Sequence, residues 1–195
     1  MQKQVQKNQL LATILPARYH GHPLPEPKMK WCANWKKSVL QSFLKTSLGK
    51  KVAEGVRLEK RFLIFVPNIE WMLRLEKVLR KIFKEVPFEA VSAEDSNRKS
   101  KVMQMRNEEI QFLITSTILE RGITFQNIDV FVIGAEDRVF SEAALVQIAG
   151  RCGRTPDFPT GEVIFFHDGK SLAMKRAVKQ IKRMNVLAKK RGLVH

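Results

Sequence analysis

Apolar residues recur along this chain with two alternating periods. Short apolar blocks at residues 62–66, 87–92, 111–115, 129–133 and 162–167 have the length and composition of buried strands. Between them, residues 69–84, 96–107 and 141–149 carry apolar positions at helical spacing. Residues 35–48 read as one amphipathic helix before the first of these strands. A long one runs from about 170 to 190, with Ala173, Ala177, Ile181, Met184 and Ala188 on one face and Gly192 as its stop. Strands alternating with helices predict an α/β fold, a predominantly parallel sheet with right-handed crossovers and helices on both faces. Ahead of this lie an apolar segment at 9–15 and a Pro-rich stretch at 16–27 with Pro16, Pro23, Pro25 and Pro27. Proline favours extended backbone there, which suits an interdomain leader. His20 and His22, within it, read as surface residues. The expected division is a leader over 1–27 and one domain over 28–192.

Charge changes the picture. Lys and Arg number 35 against 19 Asp and Glu, a net charge of +16. The whole excess sits in two segments, Lys28 to Lys51 and Lys170 to Arg191, neither of which contains an acid. Such patches point to a polyanion, and nucleic acid is the obvious one. A solvated helix face and a basic tail are the plainer reading. Trp31 and Trp35 lie inside the first patch, able to stack on bases or to pack on the domain. Ser92 and Arg98 could likewise meet phosphates, or Ser92 or Ser96 could cap the next helix. The two cysteines, Cys32 and Cys152, have no paired spacing, which suits a reducing cytosol and gives no metal motif. Cys152 reads as a small filler. No run approaches a membrane span.

Two segments carry candidate chemistry. Residues 147–154 read Gln-Ile-Ala-Gly-Arg-Cys-Gly-Arg, at the end of a helix with Ser141 as N-cap and Glu142 in its first turn. Arg151 and Arg154, each after a glycine, would leave one helix end in the same direction. Planar, permanently charged forks suit the oxygens of a transferring phosphoryl group. Residues 112–125 read Phe-Leu-Ile-Thr-Ser-Thr-Ile-Leu-Glu-Arg-Gly-Ile-Thr-Phe. Thr115, Ser116 and Thr117 follow a strand, where hydroxyls and free N–H groups can meet phosphates, before Arg121-Gly122 closes a turn.

Together these segments resemble motifs V and VI of superfamily 2 helicases, in their second RecA-like domain. The hydroxyl cluster and Arg121-Gly122 match motif V; Gln147, Gly150, Arg151, Gly153 and Arg154 match motif VI. Residues 62–68, Phe-Leu-Ile-Phe-Val-Pro-Asn, are similar to motif IV. The resemblance implies a RecA-like domain. Arg151 and Arg154 would be catalytic arginine fingers, and Gln147, Gly122 and Thr124 would contact ATP. Asn68, Thr115, Ser116 and Thr117 would contact nucleic acid. Thr124 stands where many members have a ribose-contacting Asp.

The segments 117–125, 134–137, 142–151 and 159–163, with the leader from Leu15 to Pro25, further resemble the late-competence ATPase family ComFA. These are DEAD-box-like motors implicated in drawing transforming single-stranded DNA into Firmicute bacteria. The primosomal PriA helicases have similar motifs. A nucleic-acid-binding module without ATPase function, or an interaction domain, are the other readings; the intact Gln147, Arg151 and Arg154 argue against mere binding. The ComFA-type reading implies ATP and Mg²⁺ held mainly by a first RecA-like domain. Its partners would be single-stranded DNA, that first domain and membrane DNA-uptake channel proteins, from a cytoplasmic position at the inner face of the membrane. The chain has no Gly-x-x-x-x-Gly-Lys-[Ser/Thr] loop, no acidic metal box and no four-cysteine site. It therefore reads as the second half of a motor, from a truncated or split gene.

Overall fold

The computed structural model describes residues 20–116 and 125–194. Six parallel strands form one sheet in the order β1-β6-β5-β2-β4-β3. They are β1 (Lys28–Trp31), β2 (Arg61–Phe65), β3 (Phe88–Val91), β4 (Phe112–Thr115), β5 (Ile128–Ile133) and β6 (Val163–His167). Helices α1 (Trp35–Gln41), α2 (Ser47–Arg57) and α3 (Ile69–Ile82) cover one face. Helices α4 (Arg98–Arg106), α5 (Glu142–Ala149) and α6 (Leu172–Lys190) cover the other.

The strands read as unbroken apolar runs because both sheet faces are buried. In β2, Phe62 and Ile64 enter the first core, while Leu63 and Phe65 enter the second. Across β3, β4, β2, β5 and β6, the rings of Phe88, Phe112, Phe62, Phe131 and Phe166 form a continuous aromatic stripe. Phe88 and Phe62 both stack on Phe112, at 4.4 and 4.7 Å. Offset aromatic contacts of this kind add to the area they bury.

Two elements differ from the sequence expectation. Residues 35–48 are not one helix: α1 stops at Gln41, a 3₁₀ turn spans Phe43–Lys45, and α2 begins at Ser47 and runs on to Arg57. The reason is local hydroxyl chemistry. The Ser42 hydroxyl donates back to Ser38 O in α1, and Thr46 Oγ1 accepts from Gly49 N at 2.8 Å, starting a new helix. The other difference is β1. It is a short edge strand whose lysines and Trp31 face out, so it has no apolar run to read. Its register pairs Trp31 with His167.

The remaining elements lie within about two residues of the expected bounds. Neither Ser92 nor Ser96 caps α4; Asn97 occupies that position without a side-chain bond, and its N–H is held by Asp95. Gly192, with φ 66°, follows α6, and Leu193 N donates to Ala188 O, the closure expected of a glycine stop.

Candidate functional site

The parallel sheet sorts the candidate residues onto two opposite edges. At the carboxyl edge, β2 ends at Phe65 and β4 at Thr115, and Val66 N donates to Thr115 O. Asn68 therefore stands beside Thr115 and Ser116. Asn68 is exposed; its Oδ1 accepts from Trp71 N at 2.9 Å and caps α3, which leaves its amide NH₂ to face outward. Thr115 is wholly buried, whereas Ser116 is half-buried. The Ser116 hydroxyl itself is buried and has no hydrogen-bond partner among the described residues. Thr117, Arg121, Gly122 and Thr124 lie outside the described residues.

At the amino edge, α5 delivers the arginine segment. Ser141 Oγ accepts from Ala144 N and Glu142 sits in the first turn, as the sequence indicates. Gln147 is exposed on the last turn. The helix ends at Ala149, with Gly150 as C-cap, so Arg151 and Arg154 leave from the loop beyond it and not from helical positions. Arg151 is buried and Arg154 half-buried. Burial first, and then the nearby charge of Arg154, hold the Arg151 pKa below the ordinary arginine value. Arginine nevertheless keeps its proton, so two positive groups stand close together in a partly desolvated place. Cys152, between them, is fully buried, as a filler should be.

The leader proves to be part of this loop. Gly153 has φ 62°, and a Cβ there would fall 2.3 Å from Pro159 O and 3.3 Å from Pro25 Cγ. Only glycine allows so close an approach. His20 Nε2 donates to Gly153 O at 3.2 Å, while His20 Nδ1 accepts from His22 N at 3.3 Å. Both bonds are satisfied by the tautomer with its proton on Nε2. Further along, the Asn185 side chain of α6 accepts from Leu24 N at 2.8 Å and donates to Leu24 O at 2.9 Å. His20 is thus more than a surface residue. Nothing in the sequence links it to Gly153, 133 positions away; only the fold does.

Trp35 is buried, its indole N–H donating to Glu136 Oε1 at 2.7 Å. Its ring fills the space that a Cβ on Gly134, with φ 64°, would take. Of the two tryptophans in the first basic segment, only Trp31 is open to solvent. No helix among the described residues is long and apolar enough to cross a membrane.

Comparison with known proteins agrees with this architecture. Residues 36–156 match the helicase conserved C-terminal domain. The competence protein ComFA of Bacillus subtilis strain 168 is 39% identical over 190 residues, 97% of this chain and 41% of that protein. Its counterpart in Streptococcus pneumoniae is 36% identical over 185 residues, 95% of this chain and 43% of that protein. The chain thus spans about two-fifths of these relatives' length. In fold it resembles the Mss116p DEAD-box helicase domain 2 bound to an RNA duplex, with a TM-score of 0.55 at 16% identity over 78% of this chain and 67% of that one. It also resembles the C-terminal part of the Fun30 ATPase domain, with a TM-score of 0.52 at 18% identity over 74% of this chain and 46% of that one. With this parallel sheet and this match, the chain belongs to the helicase conserved C-terminal domain family, and it resembles ComFA over nearly its whole length.

Proposed function

We propose that this chain is the second half of an ATP-driven motor that moves along single-stranded DNA during DNA uptake. The observation that carries it is the amino-edge loop. It brings Arg151 and Arg154 together, buries one of them, and is braced from behind by the leader. A solvated basic helix end has no need of that burial. ATP is held mainly by a preceding RecA-like domain, and Arg151 and Arg154 meet the charge that develops on its γ-phosphate. Gln147, with Gly122 and Thr124, completes the nucleotide contacts from this side. Among the described residues no group of three His, Cys, Asp or Glu side chains is placed to hold a metal. The Mg²⁺ that accompanies ATP goes with it to the preceding domain. Asn68, Ser116 and Thr117 meet the DNA backbone at the opposite edge. Thr115 lends its strand end to that edge, its side chain being buried. Closing on ATP and reopening after hydrolysis would step the DNA past those contacts. In this reading residues 28–192 form the motor domain and 1–27 lead into it from the first. Uptake-channel proteins at the inner face of the membrane would be its partners there. The similarity to ComFA over nearly the whole chain favours DNA uptake over a PriA-like role in replication restart.

The test uses the complete motor with Arg151→Ala and Arg154→Ala. Each should raise the barrier to hydrolysis by on the order of 2–5 kcal/mol, a loss of roughly 30- to 5,000-fold in rate. Single-stranded DNA affinity and melting temperature should hold. Normal turnover in both variants would refute the finger assignment; a joint fall in Tm and DNA affinity would make the arginines structural.

A further inference from the structure

We propose that Trp31, at the carboxyl end of β1, is a base-stacking station for single-stranded DNA, separate from the contacts of Asn68 and Ser116. This rests on the reading of the chain as a DNA-tracking domain and extends the track to the far side of the sheet.

The three tryptophans have different fates. Trp35 is 2% exposed, and Trp71 packs against it with ring centroids 4.7 Å apart. Trp31 is 59% exposed. An open indole gives up the burial free energy that the other two collect. A single exposed apolar residue needs no explanation, but this one is held in place. Its ring meets the buried His167 ring edge-on, at 5.7 Å and 88°. Its carbonyl accepts from Ser47 Oγ at 2.6 Å, and the next residue, Cys32, donates its N–H to His167 O at 2.8 Å. A fixed aromatic face loses little freedom when a base stacks on it.

The surroundings suit a nucleic-acid backbone. Trp31 and Lys45 line one hollow of about 210 Å³ with Ser38, Ser42 and Ser47. In the first basic segment Lys28 and Lys51 are tied to Glu162, at the amino edge. Lys30, Lys36, Lys37, Lys45 and Lys50 are exposed and make no salt bridge among the described residues. The acids beyond the strand end are engaged: Asp168 accepts from Asn34 N and Glu136 from Trp35 Nε1. An aromatic face beside Lys45, on a segment that carries four further exposed lysines, is the combination that holds single strands without reading their sequence.

Position completes the case. Because all six strands are parallel, Trp31, Asn68 and Ser116 share one edge. β1 and β2 are three strand spacings apart, about 14 Å. A strand of DNA laid along that edge from Ser116 past Asn68 arrives at Trp31.

The experiment titrates the full chain with an oligothymidine and with an oligonucleotide of equal length whose central positions are abasic. Trp31→Ala should weaken oligothymidine binding roughly 5- to 150-fold, the range for loss of one stacked base. It should leave abasic-strand binding and the salt slope unchanged, and Trp31→Phe should restore most of the loss. An unchanged melting temperature shows that the exposed side chain was not holding the fold. Equal affinity of wild type and Trp31→Ala for oligothymidine overturns the station and assigns Trp31 to a protein contact. So does an equal loss on both strands. If the wild type binds neither strand, the DNA-tracking reading itself fails.

Discussion

Asp129 is a carboxylate the fold holds at a cost. It lies in β5, 8% exposed, with Oδ1 accepting from Glu162 N at 2.7 Å and Lys60 3.9 Å from Oδ2. Burial is the largest influence and pushes its pKa above the usual 3.8, against the pull of the backbone N–H and Lys60. A carboxyl whose native pKa is raised binds more protons folded than unfolded, so stability falls as pH rises through that window. The penalty is fully present above the raised value and absent below 3.8. Asp129→Asn keeps an acceptor for Glu162 N and removes the titration. Its melting temperature should exceed that of the wild type at pH 7, and the gap should close as pH falls towards 3.8. A variant less stable than wild type at pH 7 would show that Lys60 outweighs burial. At this scale the sequence announces Arg151 and Arg154 through their spacing. It is silent on Asp129, because what shifts a carboxylate is the set of distant residues folded around it.

Elements with a period were legible, and elements defined by a partner were not. β2, β4, β5, β6, α3 and α5 follow from apolar runs and spacing alone. β1 has no such run, since only Met29 packs on the core and the strand exists through its pairing with β6. The leader was legible as extended proline-rich chain but not as a strap. Asn185 clamps it to α6 by imitating a strand partner for Leu24, and adds a bond to Glu26 Oε1 at 3.3 Å. Asn185→Ala leaves the Leu24 N–H and carbonyl without those partners and should cost about 1–3 kcal/mol. For a chain of 195 residues that is a fall in Tm of roughly 2–4 °C per kcal/mol. Hydrogen exchange should quicken across residues 20–27, with the strands of the sheet still protected. Because Pro25 lies against Gly153, the variant motor should also lose turnover while keeping its DNA affinity. Unchanged exchange in the leader would mean that Pro25 and His20 suffice to hold it.

Over the whole molecule, the two basic segments were plain from the sequence, but their relation to the two edges was not. α6 starts just beyond β6 at the carboxyl edge and runs to the leader at the amino edge. Its 19 residues span about 28 Å. Lys175, Arg176 and Lys179 lie in its first half; Lys189, Lys190 and Arg191 lie at its far end. Exposed charges act over a Debye length of about 8 Å at physiological salt, so the two ends of this helix are electrostatically separate. DNA on the carboxyl edge should therefore feel one cluster and not the other. Each phosphate contact to a single strand contributes about −0.7 to the slope of log affinity against log salt. Replacing Lys175, Arg176 and Lys179 together by Gln should flatten that slope by up to about 2. Replacing Lys189, Lys190 and Arg191 should leave it unchanged, although the net charge falls by the same amount. Equal effects from the two triple variants would mean that DNA responds to total charge and follows no defined track. The reverse order would move the strand to the amino edge, beside the arginine loop, and would contradict the separation of DNA and nucleotide on which the motor reading depends.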